Sequence, residues 1–402
     1  MRDREFWLGR FGCYRRPVTR GAPRLWLHAS SVGEVTGAMA TVLEIRRRLP
    51  HSNLVLTVST PQGFRFARTQ LRQWVQVYAP PLDLPWPVWS AVSHFRPDLF
   101  VGFESEFWPL LFWMLRRRDI PTLLLNGRLS DRSARTYHRF PTLFQPLFRH
   151  FTGLAMNSEA DARNILSFGV SADRVRVLGS SKYDTLEVRT GFAPSRDWRN
   201  LLGWDHAGPV VIGGSLRRRE CIWLLDVFAA LAETRADLLG LFVPRHLHRI
   251  EEMTRHLTTR SIGFQLLSRL IDGTEVRREP VVLVDRIGVL FELYALGDLI
   301  FCGGTLEPIG GHNIVEPAAW GKRVVYGPHV EKVAREHELL QRHQASVMVS
   351  DWRQLIRLWQ DQLSSQVGHT GTAEAPLGAL RELGGVAQAQ VDLILEALHP
   401  DE

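Results

Sequence analysis

Cysteine, lysine and long apolar runs are all scarce in this chain of 402 residues. Its three cysteines, Cys13, Cys221 and Cys302, are too few and too scattered for a disulfide framework or a zinc site. A reducing compartment is therefore expected. No stretch approaches the roughly 18 apolar residues of a membrane span, and the N-terminus lacks the apolar core of a secretory signal. The sequence alone predicts a cytosolic protein without a spanning helix.

Several cofactor signatures are missing as well. The chain contains no G-x-G-x-x-G fingerprint, no Walker A motif, no zinc-ligand spacing and no Asp-x-Asp pair. These absences argue against nicotinamide, P-loop ATP and metal-bridged diphosphate chemistry. We expect neither a metal ion nor a resident cofactor.

What is present is an ordinary globular composition, 45% hydrophobic and 23% charged, in a length typical of two or three domains. The basic residues are unusual, because all but three of the 49 are arginine, and the net charge is +7. Codon bias is the simplest explanation. Arginine clusters within 1–24, at 116–118 and at 217–219 also suit phosphate or anionic lipid, unless they are solvated faces.

Short β-branched or apolar runs alternate with amphipathic segments such as 34–48 and 158–168. This alternation is typical of parallel sheets that carry helices on both faces. The predicted strands are 24–29, 53–59, 74–80, 99–104, 122–127, 153–157 and 174–179 in the first half, and 209–215, 238–244, 281–285, 299–304, 323–328 and 345–350 in the second.

Between the halves, residues 187–206 carry glycine, proline and charge without a clear period, which indicates a linker. We predict an α/β fold of two doubly wound, Rossmann-like domains that face a central cleft, with ligands at the carboxyl ends of the strands. The domains are expected at 1–190 and 207–402, with a linker at 191–206 and a last helix able to pack back on the first domain. A TIM barrel is the competing architecture, although the central linker argues against it.

Acidic side chains stand at the ends of the first and fourth predicted strands. Glu34 follows the small residues Ser31 and Gly33 at a helix start, where it either faces the cleft or only complements the helix dipole. Glu104 and Glu106 follow the fourth strand, where two carboxylates are costly without a task unless they cap the next helix. These positions are the first candidates for catalysis.

Further polar residues end the fifth and seventh strands. Arg128 and Ser130 follow the fifth strand, and Lys182 follows the seventh. In a chain that almost always uses arginine, a lysine at a strand end hints that a compact ammonium group is needed.

The second half has anion-binding character at its strand ends. Gly213-Gly214-Ser215 ends its first strand, and Pro244-Arg245-His246 ends its second. Most informative is the glycine-rich stretch 303–317, which includes Gly304, Gly311 and His312. A turn of this kind before a helix start would hold a phosphate, and Glu316 would hold a ribose unless it serves only as a helix acid.

Eight motifs, in sequence order, resemble those of the 3-deoxy-D-manno-octulosonic acid (Kdo) transferases of lipopolysaccharide synthesis. They are His28–Glu34, Pro61–Gly63, Asp83–Pro85, Glu104–Pro109, Asn126–Ser133, Gly179–Asp184, Pro244–His246 with Arg249, and Gly303–Pro317. The resemblance runs from about residue 8 to residue 330, and the helical residues beyond it match only loosely.

The resemblance implies a GT-B glycosyltransferase that moves Kdo from CMP-Kdo to a lipid A precursor with inversion. It implies that Glu34 is the catalytic base and that Glu104 and Lys182 stabilise the transition state. Together with the strand-end residues, the acceptor-binding candidates are Ser31, Gly33, Glu106, Arg128 and Ser130. The donor-binding candidates are Ser215, Pro244, Arg245, His246, Gly288, Val289, Leu290, Gly304, Gly311, His312, Asn313 and Glu316.

Three features depart from the family pattern. Family members usually begin with an apolar membrane anchor, which is not seen at the start of this sequence. Gly288-Val289-Leu290 replaces the usual Gly-Glu-Leu. The usual Gly-Ser-Thr turn with two later glutamates becomes Gly214-Ser215-Leu216, followed by Arg217–Arg219 and only Glu220. The last two differences concern donor binding more than the reaction.

We also expect peripheral attachment to the cytoplasmic face of the inner membrane, because a lipid acceptor stays in the bilayer. Residues 1–24 and 137–151 combine arginine with aromatic side chains that suit an anionic interface. The alternatives are a frayed, solvated tail for the first segment and a packed helix for the second.

Two other functions stay open on the sequence. One is a transferase or epimerase that uses a UDP-sugar, and the other is a non-catalytic basic protein that binds an anionic membrane or nucleic acid. The second leaves the strand-end acids unexplained, so no nucleic-acid partner is expected.

Overall fold

A computed structural model describes residues 2–19, 21–191, 194, 196–203, 208–311, 313–364 and 373–399. The chain divides into two compact units, one formed by Met1–Val188 with Gly384–Glu402 and the other by Arg189–Leu383. Each unit is built on one parallel sheet flanked by helices, which confirms the predicted α/β fold class. Because both sheets are open, the TIM-barrel alternative is wrong.

The first sheet contains β1 (Arg24–Ala29), β2 (Asn53–Val58), β3 (Gln76–Tyr78), β4 (Leu99–Phe103), β5 (Thr122–Gly127), β6 (Gly153–Met156) and β7 (Val175–Val177). Their order is β3-β2-β1-β4-β5-β6-β7, and all the pairs are parallel. Because both faces are covered, β2, β4, β5 and β6 are buried along their whole length. For that reason their sequences are largely apolar runs without polar alternation.

The helices of this half of the chain are α1 (Arg2–Arg10), α2 (Val32–Arg48), α3 (Pro61–Gln70), α4 (Pro85–Phe95), α5 (Pro109–Arg116), α6 (Asp131–Tyr137), α7 (Pro141–Arg149), α8 (Glu159–Leu166) and α9 (Lys182–Thr190). Local sequence sets several of their starts. Ser31, Ser130 and Ser158 cap α2, α6 and α8 through their side-chain oxygens. Proline stands in the first turn of α3, α4, α5 and α7.

The second sheet contains β8 (Val210–Leu216), β9 (Leu239–Pro244), β10 (Phe264–Leu266), β11 (Val281–Leu283), β12 (Leu299–Cys302), β13 (Val324–Tyr326) and β14 (Ser346–Met348). Their order is β10-β11-β9-β8-β12-β13-β14, again parallel. The sequence prediction missed β10, because it is three residues long and partly exposed throughout.

The remaining helices are α10 (Trp198–Leu201), α11 (Glu220–Ala232), α12 (Ile250–Thr259), α13 (Leu267–Ile271), α14 (Leu290–Leu293), α15 (Ala334–Arg342), α16 (Trp352–Ser364), α17 (Glu374–Leu383) and α18 (Val386–Leu398). Short 3-10 helices occur at Ala172–Arg174, Leu247–Arg249, Tyr294–Leu296, Glu316–Trp320 and Glu331–Val333. Helix α18 belongs to the first unit, where it packs on α2 and β6. Within the predicted linker, Trp198 is buried and donates to Glu292 at 2.6 Å.

In each sheet the strand order reverses beside the first strand of the unit. β1 lies between β2 and β4, where His28 pairs with Thr57 on one side and Gly102 on the other. β8 likewise lies between β9 and β12. At such a reversal the following connections part to opposite faces and leave a crevice at the carboxyl edge. Ligand sites are therefore expected after β1 and β4, and after β8 and β12.

Both segments predicted to contact a membrane contain helices that pack on the first unit. Helix α1 buries Phe6 against Phe64, with ring centroids 5.4 Å apart, so the frayed-tail alternative is wrong for residues 2–10. In 137–151, Phe148 is fully buried whereas Phe140 is 58% exposed, so that segment packs in the core with some of its aromatic side chains and exposes others to solvent. None of the helices in the described part of the chain is long and apolar enough to cross a bilayer.

Candidate active site

Glu34 lies at the carboxyl end of β1, in the first turn of α2. Ser31 caps this helix, because its Oγ accepts the Glu34 backbone N–H at 3.3 Å. The Glu34 carboxylate accepts the Ser30 backbone N–H at 2.7 Å and also the Ser30 hydroxyl. Glu34 therefore does stabilise the N-terminus of α2, as expected if it were only an acid that complements the helix dipole.

Capping does not account for the electrostatics of Glu34. The residue is only 9% exposed. Burial raises the pKa of Glu34, although the hydrogen bonds from Ser30 lower it in part. The nearby charges of Glu104 and Glu106 raise the pKa further. A carboxylate whose pKa is raised toward neutrality is a more effective general base than an ordinary glutamate.

Glu104 and Lys182 form an ion pair at the same edge. Lys182 Nζ lies 3.0 Å from Glu104 Oε1, and the lysine side chain is 38% exposed. Glu104 follows β4 with a backbone φ of 60°, an uncommon conformation for a residue other than glycine. The Lys182 stem passes over Gly37 of α2, where an added Cβ would lie 3.4 Å from Lys182 Cγ. The three predicted catalytic residues are thus brought to one end of one sheet.

Glu106 stands beside a buried histidine that the sequence analysis did not select as a site residue. The His28 side chain is 1% exposed, and its Nε2 lies 3.7 Å from Glu106 Oε2. Burial by itself would raise the pKa of Glu106, but the neighbouring His28 and Ser30 hold it below its ordinary value. Glu106 and Glu34 thus occupy environments that push their pKa values apart, which is typical of carboxylates with different tasks.

The other acceptor-side candidates lie close by and have local structural roles. The Arg128 backbone N–H donates to the Glu104 carbonyl at 3.2 Å, and its side chain is exposed. Ser130 caps α6 by accepting the Ser133 N–H at 3.2 Å. Gly33 is exposed in the first turn of α2. Their part in acceptor binding stays a prediction.

On the donor side, Glu316 is the residue with the most informative surroundings. It opens a 3-10 helix, and Asn313 Nδ2 donates to its Oε1 at 2.8 Å. Burial raises the pKa of Glu316, opposed by the charge of Arg189, the Asn313 hydrogen bond and the charge of Arg245. Arg245 is exposed just after β9, so two of the predicted donor regions lie within electrostatic reach of each other.

Arg189 was missed because no strand end or motif marks it. Its guanidinium carbon lies 3.9 Å from the centroid of the Phe291 ring, a close cation–π contact. Burial lowers the pKa of Arg189, and the charges of Glu316 and Glu292 oppose that shift. Arg189 adds a cation to the donor side that sequence patterning could not reveal.

Several other donor candidates share an unusual backbone conformation. Positive φ values of 54°, 92°, 79° and 82° occur at Ser215, Gly288, Gly304 and Gly311. At Gly288 an added Cβ would meet nothing within 4 Å, so the conformation rather than crowding favours glycine there. Pro244 is buried at the end of β9, and His246 is exposed. Val289 directly precedes α14, which starts at Leu290, and His312 lies outside the described residues.

Glu220 is a fully buried carboxylate with a role that the sequence did not reveal. It opens α11 after β8 and accepts four backbone N–H groups. These come from Arg217 at 2.9 Å, Gly304 at 2.6 Å, Thr305 at 2.9 Å and Leu306 at 2.8 Å. Three amides of the glycine-rich turn are therefore bound to a protein carboxylate, and one of them belongs to Gly304, a predicted donor-binding residue.

Among the described ranges there is no group of three or more His, Cys, Asp or Glu side chains able to hold a metal ion. Lys182 belongs to the first unit, whereas Arg189 and Arg245 belong to the second.

Comparison with known proteins gives a consistent result. Residues 5–185 match a protein family described as 3-deoxy-D-manno-octulosonic-acid transferase (kdotransferase). The 3-deoxy-D-manno-octulosonic acid transferase of Haemophilus influenzae is 28% identical over 386 residues, which cover 96% of this chain and 90% of that protein. The transferase of the same name from Chlamydia pneumoniae is 31% identical over 336 residues, which cover 83% and 75%.

A solved structure supports the fold alone. UDP-GlcNAc 2-epimerase from Neisseria meningitidis matches 92% of this chain and 99% of its own, with a TM-score of 0.59 and 14% identity.

The Glu220 contacts generate a stability prediction. Glu220→Gln keeps the shape but turns an amide NH₂ toward backbone N–H groups, so about 3 kcal/mol of unfolding free energy should be lost. Urea denaturation of this variant and of Glu233→Gln, a change at an exposed glutamate directly after the same helix, measures the effect. Equal stability of the two variants would show that the turn does not depend on the Glu220 charge.

Proposed function

Because the chain belongs to the 3-deoxy-D-manno-octulosonic acid (Kdo) transferase family and is a glycosyltransferase, we propose that it moves Kdo from CMP-Kdo to a hydroxyl of a lipid A precursor. The reaction is a single displacement with inversion at the anomeric carbon, as part of lipopolysaccharide synthesis. The observation that best supports it is the group formed by Glu34, Glu104 and Lys182 where the strand order of the first sheet reverses.

Glu34 serves as the general base in this proposal. The acceptor hydroxyl gives its proton to the Glu34 carboxylate while its oxygen bonds to the anomeric carbon, and the bond from that carbon to the CMP phosphate breaks. Burial and the neighbouring acids raise the pKa of Glu34, which suits this proton transfer. The hydrogen bonds from Ser30 hold the carboxylate in one orientation.

Glu104 and Lys182 stabilise the transition state. Positive charge develops on the sugar and negative charge on the departing phosphate, and fixed charges that face them lower the barrier. The ammonium of Lys182 is held at 3.0 Å by Glu104, so its position is set before substrate binds. Glu104 in turn supplies negative charge for an oxocarbenium-like sugar.

The second unit binds CMP-Kdo. CMP leaves with a single phosphate, which arginine and backbone amides can hold without a metal ion. We assign Arg245 to the phosphate and Glu316, oriented by Asn313, to ribose hydroxyls. Gly288–Leu290 complete the CMP site, with Val289 in place of the family glutamate.

The first unit presents an apolar, basic surface suited to the cytoplasmic face of the inner membrane. Trp86 and Trp89 stack on α4 with centroids 5.2 Å apart and are 64% and 46% exposed. On α5, Trp113 is 50% exposed beneath the Arg117 guanidinium, which lies 5.0 Å from its ring. Exposed indoles with arginine suit the headgroup level of an anionic leaflet.

A groove between α5 and α7 supports a lipid acceptor. It has a volume of about 480 Å³, and its lining includes Leu110, Trp113, Leu143 and Leu147. Helix α5 begins at Pro109, shortly after the Glu104–Glu106 segment. An acyl chain of the acceptor would lie in this groove with its sugar toward the catalytic residues.

Removing the base tests the mechanism. Glu34→Gln should lower turnover by roughly 100-fold or more, whereas Glu44→Gln on the same helix should not.

Ser30→Ala removes a hydrogen bond that lowers the pKa of Glu34, so the pKa should rise and the acidic limb of kcat/KM should move to higher pH. Product mass spectrometry across a pH series measures both. Near-normal turnover of Glu34→Gln would refute the assignment.

Donor binding is tested by calorimetry with CMP and with UDP. Arg245→Ala should weaken CMP binding by roughly 2 kcal/mol, because a charge-assisted contact is lost. Arg235→Ala, a change at a partly exposed arginine of the same unit, should not. CMP should bind more tightly than UDP, and EDTA should leave turnover unchanged. Tighter binding of UDP would favour the UDP-sugar alternative, and strong inhibition by EDTA would reject the metal-free mechanism.

Membrane attachment is tested by sedimentation with liposomes that contain anionic lipid. Replacing Arg116–Arg118 with glutamine should lower binding about tenfold or more at low salt, since each arginine near the surface contributes about 1 kcal/mol. The matched control replaces the other triplet, Arg217–Arg219. Binding that ignores both lipid charge and salt would reject the electrostatic contribution, and absence of binding would reject attachment.

A further inference from the structure

Gln390 is a fully buried amide on α18, the helix by which the end of the chain joins the first unit. Both polar atoms of its side chain are used. Thr41 Oγ1 donates to Gln390 Oε1 at 2.7 Å, and Gln390 Nε2 donates to Asn126 Oδ1 at 2.9 Å. A buried amide is costly compared with an apolar side chain of similar size, so the groups that Gln390 holds are informative.

Asn126 links Gln390 by hydrogen bonds to the segment that contains Lys182. It is 2% exposed near the end of β5, with a φ of 52°. Its Oδ1 also accepts the Ser181 backbone N–H at 3.0 Å, and its Nδ2 donates to Ser181 Oγ at 2.9 Å. The Ser181 hydroxyl donates to the Gly37 carbonyl at 2.6 Å. Gln390 therefore holds the Asn126 side chain in place, and Asn126 in turn holds Ser181, the residue directly before Lys182.

The same short stretch is tied to α18 a second time. Asp184 accepts the backbone N–H groups of Gly385 at 2.6 Å and Ala387 at 3.2 Å at the start of that helix. Residues 181–184 are thus held on one side through Asn126 and on the other through Asp184. Both attachments lead to the C-terminal helix, although that helix supplies none of the predicted catalytic groups.

We infer that Gln390 is a positioning residue for the Lys182–Glu104 pair and acts through Asn126 and Ser181. The inference rests on the transition-state role proposed above for Lys182. A lysine ammonium stands at the end of a flexible stem, so its position depends on a well-supported backbone. Displacement of a reacting group by about 1 Å can cost on the order of 100-fold in rate.

Gln390→Met tests the inference in the full chain, because it keeps the side-chain length and removes both hydrogen bonds. We expect kcat to fall about tenfold while KM for CMP-Kdo and for the acceptor changes less than about twofold. Val391→Ala, a buried apolar truncation on the same helix, controls for lost packing and should leave kcat unchanged. If Gln390→Met does not fold, Gln390→Leu removes the same two hydrogen bonds with another apolar side chain and should give the same loss.

A double mutant separates positioning from general destabilisation. In a Lys182→Ala background, Gln390→Met should change the residual kcat by less than about twofold, because the group it positions is gone. Two results would overturn the inference, provided that Lys182→Ala itself lowers kcat. One is a full tenfold loss from Gln390→Met in the Lys182→Ala background, and the other is a normal kcat for Gln390→Met alone. Normal turnover of Lys182→Ala itself would instead reject the proposed role of Lys182, and the inference with it.

Discussion

In a sheet whose strands all run parallel, every strand ends at the same edge, and the reversal of strand order decides where that edge opens. In the first unit the reversal lies between β1 and β4. It places Glu34 and Glu104 together although they are far apart in the sequence. Lys182 follows β7, at the end of the sheet, and reaches them because Ser181 is bound to Asn126 at the end of β5.

Two carboxylates show how the same local device leads to different roles. Glu34 and Glu220 each stand in the first helical turn after the first strand of a unit, and each accepts a backbone N–H from the preceding turn. The Glu220 carboxylate is fully buried and accepts hydrogen bonds from four N–H groups, so its role is to stabilise the glycine-rich turn. Among the described residues, Glu34 accepts hydrogen bonds only from serines of its own turn, and burial raises its pKa, with a further contribution from the nearby charges of Glu104 and Glu106. Burial and partners, rather than residue type, separate a structural acid from a candidate base.

Surface aromatics follow the same logic. Residues 137–151 are rich in aromatic side chains, yet Phe148 and Phe151 belong to the core. The most exposed indole in the described part of the chain, Trp86, lies on α4, where the composition of the segment gave no membrane signal. A helix that covers a sheet buries one face and exposes the other, and only the packing decides which aromatics remain outside.

Two parallel sheets could be predicted from the amino-acid sequence, because buried parallel strands are apolar runs that alternate with amphipathic helices. The sequence also located the strand-end acids and the family motifs, since both depend on residues close together in the chain. It could not show β10, which is too short and too exposed to leave an apolar run. Nor could it show the contacts that Gln390, Asn126 and Arg189 make, because their partners lie on other elements. Those contacts become visible in the folded chain alone, because a buried hydrogen bond depends on which distant segments pack together, and no local sequence pattern indicates that.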